Sequence, residues 1–376
     1  MSVLAARPRP VGPRTPEEPG PKAAPLRDFE SLLAAGLVAE SDRAALESVI
    51  ARYATAIPPT LAAAIDPNDP DDPIAAQVVP HAGERDVTAE ERADPIGDAT
   101  RSPVPGLVHR YPDRVLLKPV HVCPVYCRFC FRREVVGPGG DALSPAELAD
   151  ALDYIRARPA IGEVILTGGD PLMLSPRRLG ELMAALAAIE HVAVIRIHSR
   201  VPVADPGRLD DALADALDIE ASGGGAAVWL SVHANHAREL GDEAAAALRR
   251  ARRRGVGLIG QTVLLAGVND DPATLEALFR RMVALGVKPY YLHHPDLAPG
   301  TARFRMPIER GRAIVGALRG RLSGLAIPTY VLDLPGGHGK VNLGPSPVEG
   351  AEAGGWTVED WSGRRHAYPP PAGDPI

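Results

Sequence analysis

From Arg114 to Leu334 the chain repeats one pattern: a short apolar run, then a longer stretch with apolar residues at helical spacing. The short runs are Arg114–Val120, Glu163–Thr167, Val192–His198, Val228–His233, Leu258–Leu265, Pro289–His293 and Thr329–Leu334. Ser144-Pro-Ala-Glu147 is a capping box with proline at the first helical position, and starts a helix to Arg158. Ser175-Pro176 opens the next, and further helices are predicted over Asp205–Asp218, Ala237–Arg254, Pro272–Leu285 and Pro307–Leu322. Strands alternating with helices mean parallel βα units. Six units and a last strand predict an α/β fold, an incomplete barrel of (β/α)6 type. Polar residues end the strands (Cys123, Gly168, His198, His233, Asp296, Asp333), on the face where barrels carry active sites. That placement favours an enzyme over a scaffold.

The barrel is expected to span residues 106–345. Residues 1–26 are Pro-rich and aperiodic, which predicts a flexible tail. Residues 27–105 form an N-terminal region, helical at first, with apolar spacing through Leu32, Leu33, Leu37, Leu46, Val49, Ile50 and Tyr53. Pro58-Pro59 opens another helical segment through Ile65. After the loop Asp66–Pro73, the polar, turn-rich stretch Ile74–Pro105 is expected to wrap a surface, and residues 346–376 to form a C-terminal tail. The net charge of −6 speaks against nucleic acid as a partner. No run reaches the roughly 18 apolar residues of a membrane span, and the first residues lack the apolar core of a signal peptide. The expectation is a cytoplasmic protein without a membrane partner.

The three cysteines of the chain, Cys123, Cys127 and Cys130, lie within the loop after the first predicted strand. Their clustering fits a reducing compartment, where thiolates stay free to hold metal. Thiolates ligate iron–sulfur clusters, and a four-iron cluster normally takes four. C-x3-C-x2-C supplies three, which would leave one iron open to a small molecule. Three plainer readings compete. Scattered core cysteines would not cluster in a Pro- and Arg-rich loop. Structural zinc, with His121 as fourth ligand, usually pairs C-x2-C with a distant second pair. A four-cysteine ferredoxin site lacks its fourth cysteine. Gly168-Gly-Asp170 follows the second strand, either as a ligand-facing turn or as a helix entry capped by Asp170.

Asp333-Leu-Pro-Gly-Gly-His-Gly-Lys340 carries the second signal. A lysine in a Gly-rich loop can form a Schiff base with pyridoxal 5′-phosphate (PLP). A phosphate-binding P-loop is excluded, because Leu334 stands where its first glycine belongs and Val341 follows the lysine. The plainer alternative is an exposed lysine on a flexible loop.

The cysteine spacing, with Tyr126 and Phe129 before the second and third cysteines, resembles the radical S-adenosylmethionine (SAM) superfamily. Adding Arg110-Tyr-Pro-Asp-Arg114, Leu166-Thr-Gly-Gly-Asp170, Gln261-Thr-Val-Leu-Leu265, Gly267-Val-Asn-Asp270, Pro289-Tyr-Tyr291 and Pro335-Gly-Gly-His-Gly-Lys340, the chain resembles the lysine 2,3-aminomutase family from about Arg110 to Lys340. The resemblance implies a radical SAM partial barrel with an N-terminal helical region, an isomerase using a [4Fe-4S] cluster, SAM and PLP. It implies that Cys123, Cys127 and Cys130 bind the cluster, and that Gly168, Gly169, Asp170, His233 and Gln261 line the SAM side. Lys340 would hold PLP, with Arg110, Tyr111 and Arg114 around it. Arg132 would pair with the substrate carboxylate, and Asp296 and Asp333 with the distal ammonium of lysine. An electron donor such as flavodoxin or ferredoxin and a homo-oligomer are implied as well.

Alternatives are a mutase for glutamate or arginine, or a non-catalytic iron–sulfur or zinc module. Tyr291-Leu-His-His294 is similar to the branch that makes β-lysine for elongation factor P. The chain departs from the family at His338, where glycine is commoner, and at Asn342, where proline is. It also lacks the further cysteines of a zinc site, with Asp271 standing where one would be.

Overall fold

The computed structural model describes residues 24–137, 142–219, 224–350, 355–360 and 362–370. Nine strands form one sheet in chain order: β1 (Leu107–Tyr111), β2 (Arg114–Val120), β3 (Glu163–Gly168), β4 (Val194–Ser199), β5 (Ala227–His233), β6 (Gly257–Val263), β7 (Lys288–His293), β8 (Thr329–Leu334) and β9 (Gly339–Asn342). The pairs from β2 to β8 are all parallel. At the two edges β1 and β9 pair antiparallel to their neighbours. The seven parallel strands are those the sequence predicts. The two edge strands are additions, too short and too polar to read as strands by themselves.

The strands alternate in an unusual sense. Val115, Leu117, Val164, Leu166, Ile195, Ile197 and Leu230 are buried against the outer helices. The intervening Arg114, Glu163, Thr167, Arg196 and His198 line a cavity inside the sheet. Period-2 alternation therefore puts the apolar core outside the barrel wall and the polar residues within it. The helix Pro176–Ala187 shows the matching face, burying Leu179, Leu182, Met183 and Leu186 at helical spacing. The capping box of Ser144 and Glu147 forms as predicted, at the start of Pro145–Arg156. In place of one helix over Asp205–Asp218, the chain makes Val201–Ala204, a 3-10 turn and Asp211–Asp215.

The N-terminal region carries the helices Phe29–Ala34, Arg43–Arg52, Pro59–Ala62 and Ala75–Val78. Of the tail expected over 1–26, residues 1–23 lie outside the described residues, and Leu26 exchanges backbone hydrogen bonds with Ile57. The stretch 346–376, expected to form a tail, contains a separate antiparallel sheet of β10 (Val348–Gly350), β11 (Trp356–Glu359) and β12 (Arg365–Tyr368). Among the described residues no helix is long and apolar enough to cross a membrane.

The stretch Ile74–Pro105 exposes residues such as Arg85, Val87 and Arg101 but also turns acidic side chains inward. It buries Glu84, Glu91 and Asp98. Glu84 is fully buried and accepts from Arg128 Nη2 at 2.5 Å and from Arg128 Nε at 3.0 Å. It also accepts from Arg133. Both arginines belong to the cysteine loop, so one carboxylate ties that loop to the N-terminal region. Burial opposes charge on Glu84, but Arg128 and Arg133 outweigh it and hold its carboxyl below the usual range. Removing one partner of a buried ion pair costs about 3–5 kcal/mol. Glu84→Gln should therefore lower the free energy of unfolding by about that amount, read as a lower urea midpoint at unchanged slope. A midpoint equal to that of the wild type would show that Glu84 does not hold the loop.

Candidate active site

The inward-facing residues enclose a cavity of about 430 Å³, lined in part by residues at the strands' C-terminal ends. A volume of this order accommodates a small-molecule ligand. Cys123, Cys127 and Cys130 occupy one side of it, on the loop that follows β2. All three are free and partly exposed to the cavity. Burial pushes the Cys130 thiol up to about 11 and Cys123 well above its ordinary value. Among the described residues no three His, Cys, Asp or Glu side chains are close enough to share a single metal ion. Three soft sulfur donors that ring a space, each free to take a different iron, fit a cluster.

Gly168 and Gly169 close the turn after β3 against this loop. Gly168 has φ of +115°, and a Cβ there would lie 2.8 Å from the Val120 carbonyl. A Cβ on Gly169 would meet the Val122 carbonyl at 2.3 Å. The N–H groups of Gly169 and Asp170 donate to Val120 and Val122. The glycines are thus required by backbone contact with the cysteine loop.

The Asp170 carboxylate, which also lines the cavity, acts as a cap. It accepts from the N–H groups of Leu172 (3.0 Å), Arg200 (2.7 Å) and Val201 (3.2 Å), and from the Ser199 hydroxyl (3.0 Å). With its oxygens so engaged, it joins the ends of β3 and β4 and contributes the shape of the turn. His233 and Gln261 sit side by side at the ends of β5 and β6. The His233 ring lies edge-on to Phe129 at 5.6 Å, and burial and the nearby Arg200 push it well below its ordinary pKa, so it is neutral.

Across the cavity, Lys340 stands on β9 with Nζ 2.6 Å from Asp333 Oδ1. Its N–H donates to the Tyr111 hydroxyl at 2.7 Å. Arg114 stacks over the Tyr111 ring at 3.8 Å. Arg110 donates to Asp98 at 3.0 Å and approaches Asp333 at 3.9 Å. The structure therefore brings Arg110, Tyr111, Arg114, Asp333 and Lys340 together where β1 and β9 approach each other. Arg132 faces the same cavity, donating to Asp98 from Nη2 at 2.8 Å.

Four residues escaped the sequence reading. Asp98 receives both Arg110 and Arg132 and lies 3.9 Å from Lys118. Burial opposes its charge, and Arg132 and the other cations outweigh this. Burial pulls Lys118 down. His293 lies 3.5 Å from Asp333. Arg200 contacts Cys127. Position was the available signal for His293 and Arg200, which end β7 and follow β4 at the mouth. Asp98 had no signal beyond the turn-forming Gly97 before it.

Asp296 and Asp333 line the same cavity wall in different charge states. Burial opposes charge on Asp333, but His293 and Lys340 hold its carboxyl well below the usual range. Burial and the neighbouring Asp333 push Asp296 up to about 7.

A barrel of parallel strands whose first parallel strand leads into Cys-x3-Cys-x2-Cys, facing a Gly-Gly turn across one cavity, defines the radical SAM class. That superfamily is matched by residues 117–278. Residues 315–372 are matched by the family described as lysine-2,3-aminomutase. The chain is 41% identical over 317 residues to a putative L-lysine 2,3-aminomutase of Aquifex aeolicus, covering 84% of each chain. It is 42% identical over 293 residues to the L-lysine 2,3-aminomutase of Clostridium subterminale, covering 78% of this chain and 69% of the relative. The glutamate 2,3-aminomutase of Clostridioides difficile is 31% identical over 339 residues, covering 90% and 79%. The chain belongs to the lysine 2,3-aminomutase family. Members are isomerases that work with a [4Fe-4S] cluster, SAM and PLP.

The state of Asp296 yields a pH prediction. The native protein keeps this proton up to about 7, whereas the unfolded chain releases it near 3.9. Between those values the native state binds more protons, so this group lowers stability as pH rises. Asp296→Asn removes the effect. The variant's gain in urea midpoint over the wild type should grow from about pH 5 to about pH 8. A gain that stays flat or shrinks over that range would show that Asp296 is not a raised carboxyl.

Proposed function

We propose that this protein is a 2,3-aminomutase that converts lysine to β-lysine. The observation that carries the reading is one cavity holding four things: the cysteine loop, Lys340, the Arg132 guanidinium, and the carboxylates of Asp296 and Asp333. When bound, the cluster and SAM supply a hydrogen-abstracting radical, and PLP supplies the carbon that carries the migrating nitrogen.

The chain's own residues do the placing. Cys123, Cys127 and Cys130 hold the cluster, and Gly168, Gly169, His233 and Gln261 form the wall on the SAM side. Lys340, whose Nζ now rests on Asp333, would hold PLP. Tyr111 holds the Lys340 backbone, and Arg110 and Arg114 offer guanidinium groups to the cofactor's phosphate. Arg132 presents a planar fork to the substrate carboxylate. Asp333, held ionised, and Asp296, which ionises when a cation arrives, receive the distal ammonium. Binding both ends of a diamino acid fixes the carbons between them against the reacting centres. A one-electron donor of the flavodoxin or ferredoxin type would reduce the cluster.

The test is anaerobic turnover by cluster-reconstituted protein with SAM, PLP and a reductant, offered lysine, glutamate and arginine in parallel. Lysine should be consumed fastest and appear as β-lysine. Lys340→Ala should lose the borohydride-reducible PLP adduct and all turnover. Asp296→Asn and Asp333→Asn should each lower kcat/KM for lysine about 100-fold, with iron and PLP content intact. Faster turnover of glutamate, or lysine turnover unchanged in both aspartate variants, would reject the lysine assignment.

A further inference from the structure

Arg200 follows β4 at the mouth of the cavity, and it is only 5% exposed. Its Nη1 lies 2.7 Å from Cys127 Sγ. Among the described residues it is the one charged side chain hydrogen-bonded to a cysteine sulfur. Its other terminal nitrogen, Nη2, donates to Gln77 at 2.7 Å and to Glu239 at 2.8 Å.

Those two partners are fixed in turn. Glu239 is fully buried on its side chain and accepts from the N–H groups of Asn235 (2.9 Å) and His236 (2.8 Å). Gln77 accepts from Asn235 and donates to Glu239. The guanidinium also lies 5.5 Å from the Phe129 ring. A guanidinium keeps its charge even when buried, and here Glu239 balances it.

This arrangement is oriented. Nη2 is held by the anion that balances Arg200, and Nη1 is directed at Cys127. A hydrogen bond to a thiolate ligand stabilises added negative charge on an iron–sulfur cluster and so sets its potential. Low surrounding polarity strengthens such a bond. Cys123 and Cys130 have no charged donor of this kind among the described residues.

We infer that Arg200 is a redox-tuning residue: through its hydrogen bond to Cys127 it stabilises the reduced state of the cluster and eases its reduction by an external one-electron donor. The inference rests on the reading of the three cysteines as cluster ligands. It gives Arg200 a positioning role, acting through Cys127.

The experiment is a reductive titration of reconstituted protein, followed by the electron paramagnetic resonance signal of the reduced cluster, with and without SAM. Arg200→Gln combined with Glu239→Gln removes the donor without leaving an unbalanced buried charge. It should load about four irons and show a midpoint potential shifted to more negative values in both conditions. Arg200→Lys, which keeps the charge, should fall between the double variant and wild type. An unchanged midpoint in the double variant overturns the proposal, including the case where SAM binding alone weakens. Failure of both variants to hold iron also overturns it, because Arg200 would then be a structural part of the loop. A wild-type protein that takes up no iron–sulfur cluster is a separate result, and rejects the reading of the cysteines themselves.

Discussion

A barrel whose interior carries charge must neutralise that charge residue by residue, since an isolated ion in a cavity of low polarity is very costly. Asp98 does most of this at the substrate end. One carboxylate answers Arg110 and Arg132 and lies near Lys118. Glu84 does the same for Arg128 and Arg133, and Glu239 for Arg200. Glu84 and Asp98 come from the segment before the barrel. The N-terminal region is therefore more than a cover: without its carboxylates the arginines of the cysteine loop and of β1 would lose their nearest anions.

Two of these pairs involve groups that the substrate would also use. Lys340 places a primary ammonium on Asp333, and Asp98 places a carboxylate on Arg132. The protein's own groups thus show what each position accepts. A free diamino acid brings a carboxylate and an ammonium of its own, so it can exchange with these internal pairs without leaving either Arg132 or Asp333 unanswered. Exchange of partners avoids much of the desolvation penalty that forming a new buried ion pair carries. A substrate with a distal carboxylate would meet the ionised Asp333 as a like charge. Asp296, whose carboxyl is pushed up to about 7 by burial and by Asp333, would ionise more readily beside a second cation.

The seven parallel strands were legible in the sequence because each reads as a short apolar run bounded by turn residues and a capped helix. The cysteine loop and Lys340 were legible because their spacing is constrained by chemistry. What escaped has a common cause. Asp98 and Glu84 sit in a stretch without periodicity, where nothing in the local pattern separates a buried carboxylate from a solvated one. Arg200 and His293 sit at strand ends, where side-chain direction depends on the tilt of the whole sheet. Asp170 was legible as either a cap or a ligand contact. Four hydrogen bonds to its carboxylate show the capping role, while the residue also lines the cavity. The edge strands β1 and β9 were missed because their pairing is long-range and their sequences are dominated by site residues.

Those edges explain why the barrel stays open. In a closed barrel the backbone of β9 would be hydrogen-bonded on both sides, and Lys340 would face a filled interior. Here β9 pairs with β8 alone, and the gap to β1 is spanned by side chains: Tyr111 to the Lys340 N–H, and Arg110 toward Asp333. Gly339 makes the approach possible. Its φ is +92°, and a Cβ there would lie 2.7 Å from the Tyr111 hydroxyl. The Lys340 side chain is left 30% exposed at this seam, enough for a bulky ring and phosphate to reach its Nζ. The cysteine loop lines the same cavity. On the proposed reading, the open seam would give PLP access to Lys340 at one edge, while the run of parallel strands backs the rest of the cavity.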